Sequence, residues 1–437
     1  MEPPKTVSLG PWRGMSNTYD ETSPRYATTE QSLGFLRDAL NVDIDRDGFV
    51  RRRDGYTRLA AMKDAHSLAA VGPYMLVIDD GTLWSILLNY ERPKKAALVS
   101  GLAPDPMRWA FAGMEAYGCN GTDTVRVTSA MTASPWALPN PGTPTLSYAP
   151  VGELPPGKYL VATTHVSSDG RESGAALSAP IILNQQGGIH VTPQRIDPSA
   201  SWTNIYVTEP NGTVLYYTST SAENTLVTQT PMTHDPLQTM NLTGPPEGAY
   251  MVQAYRGRLL VCAGSALYWS QPLAYHLFNL AVDVQMFASP PVMIAPLNTG
   301  FYIATEDTVY WVAGDDPSEW TLTQVDTPRV TTTEPLIIQG AKIPALESED
   351  LVALWVTSDG LVAGREGGRT VLLTREMLAI DPHEGGSLVH REHKGISHIL
   401  TNLRKRTQQN AFQATDRAEC VVTRSNRTTS ETIYDPF

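Results

Sequence analysis

The clearest pattern along the chain is two short apolar, aromatic-rich runs separated by a polar turn. Tyr255-Arg256-Gly257-Arg258-Leu259-Leu260-Val261-Cys262 turns at Ala263-Gly264-Ser265 and returns as Ala266-Leu267-Tyr268-Trp269-Ser270. Phe301-Tyr302-Ile303-Ala304 and Thr308-Val309-Tyr310-Trp311-Val312 repeat the layout around Glu306-Asp307. Alternating runs of this length on either side of a turn predict β-hairpins. The same arrangement occurs at 75–78 with 82–86, around Asp79-Asp80-Gly81, and from Met114 through Asn120-Gly121 to 124–127. It occurs again at 354–356 with 361–363, around Asp359-Gly360, and more weakly at Ile399-Leu400 with 411–414.

If 143–244 is set aside as an insertion, these hairpins recur every roughly 40–50 residues, the pitch of four-stranded propeller blades. One such sheet cannot bury both its faces, so a copied hairpin predicts stacking on its own copies. The pattern predicts an all-β chain, with a β-propeller of about six blades and an inserted sandwich. Asp-Gly or Asn-Gly turns at Asp47, Asp54, Asp80, Asn120, Asp169, Asn211 and Asp359 support hairpins throughout. Short helices are expected only around 31–40 and 374–379.

The insertion has Pro139, Pro141, Pro144 and Pro245-Pro246 at its borders. Within it, alternating runs such as 157–166, 203–208 and 214–218 are separated by turn signals, with no cysteine pair. At about 100 residues this reads as a fibronectin-III-like or immunoglobulin-like β-sandwich. The expected organisation is an extended arm at 1–33, a leader hairpin and first blades at 34–142, and the sandwich at 143–244. The remaining blades follow at 245–420, with a tail at 421–437.

Composition narrows the setting. A net charge of −12 argues against binding nucleic acid through a broadly basic surface. No run approaches the ~18 apolar residues of a membrane span, and the first residues have no apolar core of signal-peptide type. Cys119, Cys262 and Cys420 are too few and too widely spaced for a disulfide framework, so a reducing cytoplasm is expected as the site of synthesis.

Between Phe35 and Tyr56 the chain reads FLRDALNVDIDRDGFVRRRDGY, preceded by Gly14-Met15. This leader is similar to the opening of a family of tailed-phage virion proteins, the propeller-bearing tail hub, packaged-DNA stabilisation and tail-nozzle proteins. The stretches YRGRLLVCAGSALYWSQP, GFYIATEDTVYWVAGDDPSEWTLTQV and ALWVTSDGLVAG resemble blades of the same family. The resemblance implies a non-enzymatic structural component of the virion tail, assembled in the host cytoplasm. Copies would form a ring, commonly of six, that extends the DNA channel below the portal and its adaptor. The ring would retain packaged DNA until ejection without binding it tightly. The alternatives are a tail-tip protein that binds a receptor or glycan, with Trp202, Tyr206, Tyr216 and Tyr217 as its handle, and a propeller glycan hydrolase.

Candidate chemistry is sparse. Asp43, Asp45, Asp47 and Asp54, with Gly48, match the spacing of a calcium loop. An alternating strand with a Gly turn gives the same letters, and is preferred because the flanks read as strands. Calcium is the metal this spacing would hold, and no other cofactor is expected. His383, His390, His393 and His398, with Glu384 and Glu392, form a looser cluster that reads as a solvated connection rather than a zinc site. Two basic runs, Arg51-Arg52-Arg53 and Arg404-Lys405-Arg406, are the interface candidates in this acidic chain. No nucleophile elbow or phosphate-cradling loop is present, and Ser168-Asp169-Gly170 and Ser358-Asp359-Gly360 read as turns.

Overall fold

The computed structural model describes residues 11–432 apart from 21, 27–32, 40, 46, 56–57, 59, 89–92, 194–196, 222, 232–234, 332–333, 344–345, 347, 375–376, 380–382, 394–395, 406–417 and 425–426. Of 383–385, 404–405, 418–424 and 427–432 it describes the backbone alone. The chain divides into two compact units, one drawn from Met1–Leu59 with Phe287–Phe437 and the other from Ala60–Met286.

The fold is all-β and propeller-like. β1 (Trp12–Met15) pairs in parallel with β2 (Gly34–Leu36), and β3 (Val42–Ile44) turns back antiparallel as β4 (Val50–Arg52). A first four-stranded meander follows, made of β5 (Ala65–Val71), β6 (Tyr74–Asp79), β7 (Thr82–Leu87) and β8 (Lys94–Ser100). The second comprises β9 (Arg108–Ala112), β10 (Glu115–Cys119), β11 (Thr124–Val127) and β12 (Ala133–Pro135).

The chain then leaves this pattern. β13 (Thr145–Leu154), β14 (Gly157–Tyr159), β15 (Val161–Val166), β16 (Ala176–Leu177), β17 (Ile181–Leu183), β18 (Gly187–Thr192), β19 (Trp202–Thr208), β20 (Leu215–Ser221) and β21 (Thr225–Val227) form separate sheets. One has the order β13-β18-β21, another β16-β15-β19-β20, and β14 pairs with β17. Leu154, Ile189, Val191 and Val227 from the first meet Val161, Ile205 and Val207 from the second in one buried core. Two sheets sharing one core make a sandwich.

The meanders then resume. β22 (Ala249–Tyr255), β23 (Arg258–Ala263), β24 (Ala266–Gln271) and β25 (Ala274–Phe278) form the third, with β26 (Val284–Met286) also pairing with β24. β27 (Pro291–Pro296), β28 (Gly300–Thr305), β29 (Val309–Ala313) and β30 (Thr321–Val325) form the fourth. β31 (Leu336–Gln339), β32 (Leu351–Thr357), β33 (Gly360–Arg365) and β34 (Arg369–Leu372) form the fifth. β35 (His383–His393), β36 (Ile396–Lys405), β37 (Ala418–Arg424) and β38 (Arg427–Thr432) form the sixth.

Inner strands carry apolar side chains on both faces, and every residue of β28 is buried. Within the first unit, the fourth and fifth meanders meet through Tyr302, Trp311, Trp355 and Val362. The Tyr302 ring lies 4.8 Å from Trp311 and 5.1 Å from Trp355. Its hydroxyl reaches the carbonyls of Arg365 at 2.5 Å and Arg369 at 3.0 Å, so its polar tip is partnered. The fifth and sixth share Leu354, Val356, Ile399 and Leu403, with Met15 of β1 added to the cluster. In the second unit, Leu76, Ile78 and Leu83 of the first meander pack on Ala116, Val125 and Val127 of the second. Trp136 joins the second meander to the third: its Nε1 donates to the Tyr275 carbonyl at 2.9 Å, and its ring packs on Tyr117 and Phe278.

Several details differ from the sequence reading. No α-helix occurs among the described residues. The 31–40 region contributes strand β2, and Met377 N–H donates to the Thr374 carbonyl in a turn. In the sixth meander, 411–414 lie outside the described residues, and the return strand is β37. The expected tail from 421 is partly β37 and β38, because Val421 and Val422 are ladder partners of Ser430 and Thr429. Within the expected arm, Trp12–Met15 is a paired strand.

Trp355 is fully buried at the fourth–fifth junction, and a Cβ on Gly364 would sit 2.4 Å from its ring. Trp355→Ala leaves a large void and is expected to cost about 3–5 kcal/mol. Urea unfolding followed by far-UV circular dichroism measures this. Gly364→Ala is expected to be destabilising too, by overpacking the same contact.

Candidate interaction surface on the leader hairpin

The β3–β4 hairpin turns at Asp47-Gly48, and Trp12 N–H donates to the Gly48 carbonyl at 2.7 Å. Gly48 has φ +92°, and a Cβ there would lie 2.8 Å from Pro11 and Trp12, so only glycine fits. Asp43 stands directly opposite Arg51, with Val42 opposite Arg52 and Ile44 opposite Val50. Because side chains alternate across a strand, Asp43 and Asp45 share one face with Arg51 and Arg53. Ile44 points to the opposite face and is buried.

Three of the four aspartates of the candidate calcium loop face other partners. Asp45 accepts from the backbone N–H of Asp47 at 3.1 Å and of Phe49 at 2.8 Å, and from Arg51 Nε at 2.8 Å. Desolvation opposes ionisation of Asp45, but the Arg51 and backbone hydrogen bonds outweigh it and hold its carboxyl below the usual range. Asp43 faces Arg53 Nη2 at 3.4 Å and Arg391 Nη2 at 3.3 Å, and Asp54 faces His393 Nε2 at 3.7 Å. Asp47 lies exposed at the turn. The flanks are strands rather than helices, and among the described residues no three acidic, His or Cys side chains are grouped to hold a metal ion.

The histidine cluster is spread by the same alternation. His390 and His393 are three residues apart on β35, which sends their rings to opposite faces. His393 and Arg391 face the leader hairpin. On the other face, His390 contacts Ser397 Oγ at 2.8 Å, and Glu392 pairs with Lys342 at 2.7 Å. His398 is buried, and His383 and Glu384 are placed on β35 by backbone alone.

Of the basic runs, Arg51 and Arg52 are exposed beside Phe49 and Val50, whose exposures are 50% and 41%. Arg53 is buried at 6%. The open surface of the hairpin is therefore a cationic and apolar strip, Phe49-Val50-Arg51-Arg52. Arg404 and Lys405 end β36, with only their backbone described, and Arg406 lies outside the described residues.

Sequence reasoning missed the most heavily partnered charges, which lie in the second unit. Arg126 of β11 is buried and chelates Glu115 of β10, with Nε on Oε2 at 2.7 Å and Nη2 on Oε1. Its Nη1 donates to Asp169 at 2.7 Å, in the turn after β15. Arg171 adds bonds to Asp169 at 3.0 and 3.2 Å and to the carbonyls of Trp136 at 2.8 Å and Pro135 at 3.2 Å. His276 of β25 contacts the Glu172 carbonyl through Nε2 at 3.1 Å. One sandwich turn is thus tied to the second and third meanders.

The aromatic handle of the glycan alternative is largely internal. Tyr206 is 6% exposed, its hydroxyl donates to Glu172 at 2.7 Å, and its ring packs on Tyr217. Trp202, Tyr216 and Tyr217 are half-buried.

No family model matches the chain, and no curated protein matches it. Among solved structures, the chain is similar to the Neurospora crassa Pan2 WD40 domain at 8% identity and TM-score 0.27, over 78% of this chain and 85% of that one. It is also similar to the N-terminal domain of Nup159 at 9% identity and TM-score 0.31, over 78% and 73% of the two chains. The likeness to YjhT is 8% identity and TM-score 0.31, over 85% and 97%. Scores this low carry no argument; the propeller-like character rests on the repeated meanders.

The Arg126 network has a pH signature. Burial pushes His276 down to about 4, with nearby Arg171 acting the same way, so it is neutral when folded and protonated when unfolded across about 4 to 6.5. Burial opposes ionisation of Asp169 and Glu115, but hydrogen bonds from Ser167 and Arg126 to the first, and from Arg126 and Tyr117 to the second, hold both below their usual range. A depressed carboxylate stabilises above its unfolded pKa and loses that contribution as pH falls. All three groups therefore act in the same direction. Stability is expected to fall by about 2–3 kcal/mol from pH 7 to pH 4 through His276 alone. In urea titrations at stepped pH, His276→Gln should flatten the part between 6.5 and 4, and Asp169→Asn the part below it.

Proposed function

We propose that this chain is a structural component of a tailed-phage tail, a hub or nozzle subunit with no catalytic role. Copies of it would form a ring, commonly of six, below the portal and adaptor, with duplex DNA passing through. The observation that carries the reading is the order of parts: a leader hairpin, stacked four-stranded meanders at a constant pitch, and one sandwich interrupting them. The resemblance in the leader and blade sequences covers a leader followed by blades.

In this reading the six meanders are the blades of one propeller, and the sandwich is a fibronectin-III-like insertion. Two contacts support insertion at a single point: Asn140 Nδ2 donates to the Leu242 carbonyl at 2.9 Å, and a Cβ on Gly244 would lie 3.0 Å from the Ala137 methyl. The exit and re-entry points are therefore neighbours, as an inserted domain requires.

The strip Phe49-Val50-Arg51-Arg52 is the docking element of this reading, and its partner is an acidic neighbouring ring. A conduit must not grip phosphate tightly, because each neutralised phosphate adds affinity and slows passage. The net charge of −12 suits that requirement.

Incorporation into particles tests the proposal. Arg51→Ala with Arg52→Glu is expected to lower the copies per particle at least tenfold while the purified chain loses no more than about 1 kcal/mol, the scale of the exposed Arg51–Asp45 pair. Quantitative mass spectrometry of purified particles gives the copy number, and the unaltered chain should be present in several copies. Normal incorporation of the double variant would remove the docking role. A single copy per particle, or tight duplex-DNA binding by the free chain at physiological salt, would remove the conduit.

A further inference from the structure

The outward face of the sandwich sheet β16-β15-β19-β20 carries a bonded set of polar side chains. Val166 stands opposite Trp202 in the β15–β19 ladder and opposite Glu172 in a bridge on its other side, so Glu172, Val166 and Trp202 share one row and one face. The next row on that face sets Thr164 opposite Asn204, and Asn204 opposite Thr220. Glu172 Oε1 accepts from the Tyr206 hydroxyl at 2.7 Å, from Asn204 Nδ2 at 3.3 Å and from the Thr164 hydroxyl. Asn204 Oδ1 accepts from Thr220 Oγ1 at 2.7 Å, and the Tyr217 hydroxyl meets the same Thr220 oxygen at 2.8 Å.

The supports of this set are internal, and its outer groups are not. Thr164 is fully buried and Tyr206 nearly so. Because the Thr220 hydroxyl occupies Asn204 Oδ1, the amide is held with Nδ2 towards Glu172, and three donors on Oε1 fix the carboxylate. Glu172 Oε2 and Trp202 Nε1 have no hydrogen-bond partner among the described residues, and neither is closed to solvent. Asn204 Nδ2 spends one N–H on Glu172 and keeps the other. Leu237 and Met240 cover the face at Tyr206 and Tyr217, which leaves Trp202, Asn204 and Glu172 half-buried.

We propose that this face binds a neutral saccharide by a vicinal diol, with Trp202 against the sugar ring. Glu172 Oε2 is an acceptor and Asn204 Nδ2 a donor, and the hydrogen bond between their side chains holds them together. Two adjacent hydroxyls satisfy both: one donates to the carboxylate and the other accepts from the amide. A pyranose also presents a face of C–H groups, which a rigid indole covers at low entropic cost. Val166 is 5% exposed and closes the floor between Glu172 and Trp202, so no slot is left for the side chain of a docked peptide. A metal ion is not selected, since one open carboxylate oxygen is too few ligands. The proposal stands apart from the tail reading, because it uses the sandwich alone.

Isothermal titration of the full chain with cellotetraose, and separately with methyl α-mannoside and methyl β-galactoside, tests it. Saturable binding of at least one of these is expected. Glu172→Gln keeps Oε1 for Tyr206 and Thr164 but turns Oε2 into a donor, and should weaken binding about tenfold, the scale of one hydrogen bond to a charged group. Trp202→Leu keeps an apolar side chain without the ring and should weaken it about fivefold. Tyr148→Phe, on the other sheet of the sandwich, should leave it unaltered. The proposal is overturned if none of the saccharides binds saturably. It is also overturned if Glu172→Gln and Trp202→Leu, both folded by circular dichroism, bind as the unaltered chain does. Binding of Nα-acetyl-glutamine-N-methylamide, which offers an amide edge and no diol, as tightly as the best saccharide would overturn it too.

Discussion

A four-stranded sheet with apolar side chains on both faces must be covered on both faces, and most of this architecture follows from that constraint. β28 and β32 carry large apolar groups to either side, so neither could exist as a solvated sheet. The solution is repetition: within each unit, consecutive meanders cover one another. The junctions differ in chemistry. The fourth–fifth junction is aromatic, around Tyr302, Trp311 and Trp355, while the first–second is aliphatic, around Leu76, Ile78 and Leu83. Several fourth strands face water, and the pattern shows it, since β8 and β30 are mostly exposed. Lys94 and Lys95 on β8 are the kind of residues that keep an edge from pairing with another chain.

The leader hairpin shows how charge completes what apolar burial begins. Ile44 anchors one face, while the other carries an acidic stripe against a basic one. Asp43 lies between Arg53 and Arg391, so the hairpin is oriented on β35 by a shared carboxylate. The run Arg51-Arg52-Arg53 consequently has no single role. Arg53 is internal, and Arg51 and Arg52 are left outward. Arg51 and Arg53 share a face, and their partners separate them: Arg53 is buried against Asp43, while Arg51 stays exposed beside Asp45.

The hairpins were legible from sequence because a period of two and an Asp-Gly or Asn-Gly turn are local signals. β6–β7, β10–β11, β28–β29 and β32–β33 fall where the alternation places them. The sixth meander was less legible: its return strand begins at Ala418, beyond the weak apolar run at 411–414. The aspartate spacing from Asp43 to Asp54 is ambiguous in the sequence. An alternating strand with a Gly turn and a calcium loop share letters, and only the Arg residues across the ladder separate them. The Arg126 network was invisible. Arg126 and Asp169 are 43 positions apart, and nothing in either local sequence announces that they meet. Asp169-Gly170 reads as a turn, which it is, but the turn also carries the anion that docks the sandwich.

A buried ion network is a poor source of net stability, because desolvating three charges costs nearly what their attraction returns. Its value here is directional. Other bonds between this turn and the meanders end on backbone carbonyls, those of Pro135 and Trp136 from Arg171 and that of Glu172 at His276. A guanidinium that uses Nε and one Nη on Glu115 and its other Nη on Asp169 tolerates very little sliding, because its donors lie in one plane at fixed angles. Tyr117 holds the Glu115 carboxylate from the other side at 2.7 Å, and Ser167 and Arg171 hold Asp169. Each anion therefore has its own fixed support before Arg126 joins them. The network ties the turn after β15 to β10 and β11 in one geometry.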